Sequence, residues 1–90
     1  MDRILVFEHA LKHGLTEDQI LHAWRNAFET ATINRIDGAI DQVAIGFDQN
    51  GRAIEMTARL KPFGLLIYHA NTPPTPRTLK ELGLTGRHKK

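Results

Sequence analysis

Apolar positions recur along this chain with different spacings, and each spacing predicts a different kind of element. Ile4, Leu5, Val6 and Phe7 form a short unbroken apolar run between polar neighbours, the length of a buried strand. Residues 8–13 read as a short helix that Gly14 stops, because glycine adopts the left-handed conformation that closes helices. A second helix opens at Thr16, with Gln19 three residues on to complete a capping box and Leu15 and Ile20 in the staple positions. Ile20, Ala23, Trp24, Ala27 and Phe28 then follow at helical spacing, opposite a polar face of Asp18, His22, Arg25 and Glu29.

The spacing changes after Thr30. Asp37-Gly38 is a turn candidate, and Thr32, Ile33 and Ile36 are compatible with an irregular strand before it. From Gln42 onward Val43, Ile45 and Phe47 alternate with Ala44, Gly46 and Asp48, which predicts a strand. Asn50-Gly51 is the dipeptide of a two-residue type I′ turn, so residues 42–60 read as a hairpin that sets Phe47 opposite Ile54, Ile45 opposite Met56 and Val43 opposite Ala58. All six would lie on one buried face. Lys61-Pro62-Phe63-Gly64 supplies a second turn that pairs Leu60 with Leu65 and Ala58 with Ile67. Residues 71–74 form a stiff linker, after which Thr75 caps a short helix with Pro76 at its first position, Gly83 past its end, and Leu79 able to meet Leu84 across the stop. The expected fold is α+β: a small antiparallel meander packed by N-terminal helices, with a short C-terminal helix. Residues 1–84 read as a single domain and 85–90 as a basic tail.

Composition narrows the class. Ninety residues make one domain, and 41% apolar with 24% charged residues is an ordinary globular balance. With no cysteine there is no disulfide framework and no thiolate for zinc or nucleophilic chemistry, which fits a reducing, cytoplasmic setting. No apolar run approaches the ~20 residues of a membrane span, so no membrane is expected among the partners. Charge is uneven: residues 1–58 carry five Lys and Arg against nine Asp and Glu, and residues 59–90 carry seven against one. A basic end on an acidic body suits a polyanion; the plainer reading of Arg87-His88-Lys89-Lys90 is a solubilising tail.

Candidate chemistry collects on the face that the predicted register turns away from the core. Glu55, Thr57 and Arg59 share it, with Tyr68 opposite Thr57. Arg59 could face a phosphodiester while Glu55 or Tyr68 moves a proton; ordinary cross-strand pairs on an exposed sheet face explain the same residues. The register places His69 opposite Met56 on the apolar side, unless a residue inserted near Phe63 swings it beside Glu55. His9 and His13 lie four apart, but two imidazoles do not make a metal site and nothing completes the set. No metal or cofactor is expected. Gly46, alone among the glycines inside a strand, marks a bulge, a close packing contact or room for a ligand.

Lys12-His13-Gly14-Leu15 with Glu17-Asp18, then Ile45-Gly46-Phe47-Asp48, Gly51-Arg52 and His69-Ala70, occur in an order and spacing that resemble the BrnT branch of the RelE-like toxins. The chain departs from that pattern where Glu8-His9 replaces a Trp-Asp step and where the next arginine after His69-Ala70 is Arg77. The resemblance implies a RelE-like ribonuclease of a type II toxin-antitoxin system that cleaves messenger RNA, on the ribosome or off it, without a metal, and that a cognate antitoxin protein occludes. It would use Glu55, Arg59, Tyr68, His69 and His13 in catalysis and Lys12, Arg52, Arg77 and Lys80 to hold RNA. The alternative on the same fold is a non-catalytic RNA- or protein-binding module.

Overall fold

The structure, a computed structural model, describes residues 3–11 and 13–84. Strand β1 (Arg3–Val6) leads through a 3-10 turn (Glu8–Leu11) into helix α1 (Glu17–Arg25). Strands β2 (Ala27–Asn34), β3 (Ile40–Phe47), β4 (Ala53–Lys61) and β5 (Gly64–Asn71) follow, and helix α2 (Pro76–Glu81) closes the fold. The sheet runs β1-β5-β4-β3-β2: β3 to β5 are the expected antiparallel meander, β2 extends it beside β3, and β1 adds in parallel beside β5, so the sheet is mixed rather than purely antiparallel. Among the described residues no helix is long and apolar enough to cross a membrane. Lys12 and the tail at 85–90 lie outside the described residues.

Both helix starts form as their caps require. In α1 the Thr16 N–H donates to Gln19 Oε1 at 2.8 Å, and the Gln19 N–H donates to Thr16 Oγ1 at 3.1 Å. At the end of α2 the Leu84 N–H donates to Leu79 O and the Gly83 N–H to Lys80 O, with Gly83 at a φ of 72°. That pair of bonds is the Schellman closure which the Gly83 and Leu84 positions predict.

Three expectations are corrected. The amphipathic helix ends at Arg25, where the Asn26 side-chain amide donates to His22 O at 2.8 Å. Ala27 and Phe28 therefore begin a strand, and Phe28 stacks on Phe47 with ring centroids 5.0 Å apart. Alternation through Phe28, Thr30 and Thr32, with β-branched Ile33 beside them, suits a strand once β3 is there to pair with it.

The first hairpin keeps its place but changes its turn. Within this turn only Gly51 has positive φ, 80°, and no described non-glycine residue does, so Asn50-Gly51 is not a type I′ turn. Asp48 decides this: its carboxylate accepts the N–H groups of Asn50 and Arg52 at 2.8 and 2.9 Å, and its own N–H donates to Arg52 O. The loop is consequently three residues long, and the register slips by one. Ala44 faces Met56, Ile45 faces Glu55 and Val43 faces Thr57, which corrects the predicted pairings of Phe47, Ile45 and Val43. A slip of one exchanges the faces of a strand, and β3 tolerates it because both its faces are covered. Ala44, Ile54, Met56, Ala58 and Ile67 pack with Ile20 and Ala23 of α1, while Val43 and Ile45 form a second small core with Leu79 and Leu82 at α2.

The second hairpin has the predicted pairings Leu60 to Leu65 and Ala58 to Ile67. The third correction lies beyond them: a bulge at Tyr68 sets His69, rather than Tyr68, opposite Thr57. His69 thus leaves the apolar face, and the insertion sits at Tyr68 instead of near Phe63. Gly46 proves to be a packing position. A Cβ there would lie 1.9 Å from the backbone oxygen of Ala23, so α1 rests directly on the strand.

Candidate active site

The bulge delivers Tyr68 and His69 together to the face that also carries Glu55, Thr57 and Arg59. Over that face, His9 of the 3-10 turn and His13 form one wall and α2 the other. Between them opens a cleft of about 550 Å³ whose lining includes His9, His13, Glu55, Tyr68, His69 and Arg77. The His13 and His69 rings meet edge to face with centroids 6.4 Å apart.

Glu55 anchors this arrangement. Its Oε1 accepts the Thr75 N–H at 2.6 Å and the Thr75 hydroxyl at 2.9 Å, and its Oε2 lies 2.5 Å from His69 Nε2. Burial pushes the Glu55 carboxyl up, but hydrogen bonds from His69, Thr75 and Thr78 outweigh it and leave the group lowered to about 2. An ionised carboxylate only accepts hydrogen bonds, so His69 Nε2 carries the hydrogen between them and Nδ1 is left as the basic nitrogen of the neutral ring. Glu55 itself is too acidic to take a proton near neutrality; its part is to orient His69.

Acid should weaken the fold through this group. A carboxyl whose folded value, about 2, lies below its ordinary 4.5 stabilises fully above the ordinary value and progressively less as pH falls toward the folded one. At pH 7 Glu55→Gln should cost about 1–3 kcal/mol, because the amide sets a donor against a donor. Urea midpoints of the two proteins, measured from pH 7 down to pH 2.5, should converge below about pH 4.5.

On the same sheet face, paired with Arg59 in the β3–β4 ladder, lies a second buried carboxylate, Asp41, with no exposed side-chain surface. Asp41 accepts from Arg59 Nε at 2.8 Å and Nη2 at 3.1 Å, from Arg35 Nε at 2.8 Å and from the Tyr68 hydroxyl at 2.6 Å. Burial pushes Asp41 up, and the bonds from Arg59, Tyr68 and Arg35 more than reverse this, holding it well below the usual carboxylate range. Burial and the bond to Asp41 raise the Tyr68 phenol, so it stays protonated at neutral pH as a donor. The Arg59 guanidinium lies 5.1 Å from the Tyr68 ring centroid.

The cleft thus unites Glu55, Tyr68, His69, His13 and Arg77 from among the residues that the sequence singles out. Arg59 shares their face but is turned to Asp41 and does not line the cleft. Arg52 sits in the β3–β4 loop, paired with Asp48 at 3.1 Å, and Lys80 is on the exposed side of α2; neither is among the lining residues. His13 follows the 3-10 turn rather than sharing a helix with His9. Among the described residues no group of three or more His, Asp or Glu is placed to hold a metal ion.

Sequence reasoning missed Arg35, Asp41, Thr75 as a ligand of Glu55, and Glu81. One signal was available, an aspartate at position 41 directly beside a strand's apolar alternation, which asks for cationic partners when buried. No protein-family model, curated protein or solved structure matches the chain.

Proposed function

We propose that this protein is a metal-independent endoribonuclease, the toxin of a type II toxin-antitoxin pair of the BrnT-like, RelE-like kind, held in check by a cognate antitoxin protein. One observation carries the reading: an oriented His69–Glu55 pair faces a second imidazole, His13, across a cleft that Arg77 borders. RNA cleavage by its own 2′-hydroxyl needs a base for that hydroxyl, an acid for the departing 5′-oxygen and cations for the phosphate. His69 Nδ1 takes the 2′-hydroxyl proton as the oxygen attacks phosphorus. His13 protonates the 5′-oxygen as the P–O bond breaks, leaving a cyclic phosphate and a free 5′-hydroxyl. Imidazole is the side chain best suited to both proton transfers, and neither transfer needs a metal.

A second reading, a non-catalytic RNA-binding module, draws support from Arg59, whose donors are directed at Asp41 instead of the cleft. The two separate in one assay. Purified protein mixed with single-stranded messenger RNA should yield fragments ending in cyclic phosphate with EDTA present, and expression alone should arrest growth. Binding that weakens steeply with salt, without fragments, would instead identify the binding module.

A further inference from the structure

Helix α2 ends on a residue whose placement its own helix does not favour. Glu81 is the last residue of α2, where the partial charge of the terminal carbonyls opposes a carboxylate. It is held from outside. Arg35 Nη1 reaches Glu81 Oε2 at 3.5 Å, and Arg77 Nε reaches the same oxygen at 3.8 Å. Both contacts are long, and the Glu81 side chain is 23% exposed. Ion pairs of this kind hold weakly.

The charges around Glu81 explain why it stays. Asp41 is one carboxylate facing two guanidiniums, Arg35 and Arg59, so it neutralises one of them. Asp37 acts on Arg59 from the β2–β3 turn. That leaves Arg35, which projects past Asp41 into the cleft, and Arg77, which is 80% exposed at the cleft mouth. Glu81 Oε2 is the anion these two arginines share. Arg35, Arg77 and Glu81 all line the cleft that holds His13 and His69.

We propose that Arg35 and Arg77 form a phosphate subsite and that Glu81 is its built-in competitor, occupying in the free protein the position that a phosphate of the bound strand takes. Binding swings the Glu81 carboxylate toward solvent and transfers its two arginine contacts to phosphate oxygens, which accept the planar guanidinium fork in two parallel bonds. The subsite rests on the reading of RNA as the ligand, but not on cleavage.

Fluorescence anisotropy with a 2′-O-methyl oligonucleotide, which cannot be cut, measures this subsite in the full chain. Glu81→Gln should bind roughly five- to tenfold more tightly than the wild type, the effect of removing one weak competing ion pair. Adding Arg35→Gln or Arg77→Gln to Glu81→Gln should erase the gain. Glu81→Ser serves as a second test should the glutamine variant lose its thermal transition. Equal or weaker binding by both Glu81 variants, or a gain that survives loss of Arg35 and Arg77, overturns the subsite. Absence of binding by every variant overturns both the subsite and the RNA reading. Tighter binding of Glu81→Gln with no cutting of unmodified RNA supports the subsite and overturns the nuclease. Inorganic pyrophosphate as competitor distinguishes the sources: displacement only at millimolar levels assigns the site to a strand, while displacement at micromolar levels by pyrophosphate overturns the assignment to RNA.

Discussion

Gly46→Ala should destabilise the protein by about 3 kcal/mol or more, the upper end of what one methyl added to a filled core costs. The added Cβ would stand 1.9 Å from Ala23 O and 2.8 Å from Ala23 C, both backbone atoms that no rotamer change can move. Relief requires lifting the C-terminal turn of α1 from β3, which uncovers Ile20 and Ala23, two residues with no exposure. It also strains the bulge in β2, because Ala27 Cα lies 3.0 Å from the same Cβ and Ala27 pairs with Gly46. Urea unfolding followed by the fluorescence of Trp24, on α1, checks the prediction. An unchanged midpoint would mean that α1 sits farther from β3 than described. Glycine at 51 is a suitable control: its φ of 80° favours glycine, yet nothing lies within 4 Å of an added Cβ, so alanine there should cost only about 1 kcal/mol of backbone strain.

The largest expected effect on activity belongs to His69. His69→Ala should lower RNA cleavage about a hundred- to ten-thousand-fold, the usual contribution of a positioned acid or base. Binding of an uncleavable oligonucleotide should change little, since Arg35 and Arg77 stay where they are. His13→Ala should fall by a similar factor, and the double variant by much less than the product of the two, because a pair working on one proton transfer path fails as a unit. Cleavage that survives loss of both imidazoles would remove the mechanism, whereas loss of binding together with cleavage would point to collapse of the cleft wall.

Glu55 and Asp41 show how stability and chemistry share one face. Each is a buried carboxylate with several donors, and each joins elements distant in sequence: Glu55 joins β4 to the start of α2, and Asp41 joins β3, β4 and β5 to the β2–β3 turn. Removing either disturbs the cleft and the fold together. That is why the His69 and Glu81 variants, which alter partly exposed side chains, are the cleaner probes.

What the sequence by itself determined were the features controlled by neighbours in the chain. Thr16 with Gln19, Thr75 with Pro76, and Gly83 with Leu84 mark helix ends through bonds that span five residues or fewer, and each end is where those residues put it. Lys61 to Gly64 set the β4–β5 register for the same reason. Tertiary structure decided whatever depended on a competition between near-equal local choices. Asn50-Gly51 favours a two-residue turn, but the Asp48 carboxylate gathers two backbone N–H groups and opens the loop to three, which moves Val43 and Ile45 to the face that α2 covers. Ala27 and Phe28 fit a helix until β3 offers them a ladder. Tyr68 fits a regular strand until its hydroxyl finds Asp41, and the bulge there carries His69 to Glu55. The candidate site was legible as residue types: Glu55, Tyr68, His69, His13 and Arg77. Its working geometry was not, because Arg35, Asp41, Thr75 and Glu81 reach it across 6 to 46 positions of sequence, and only the packed sheet brings them within a hydrogen bond.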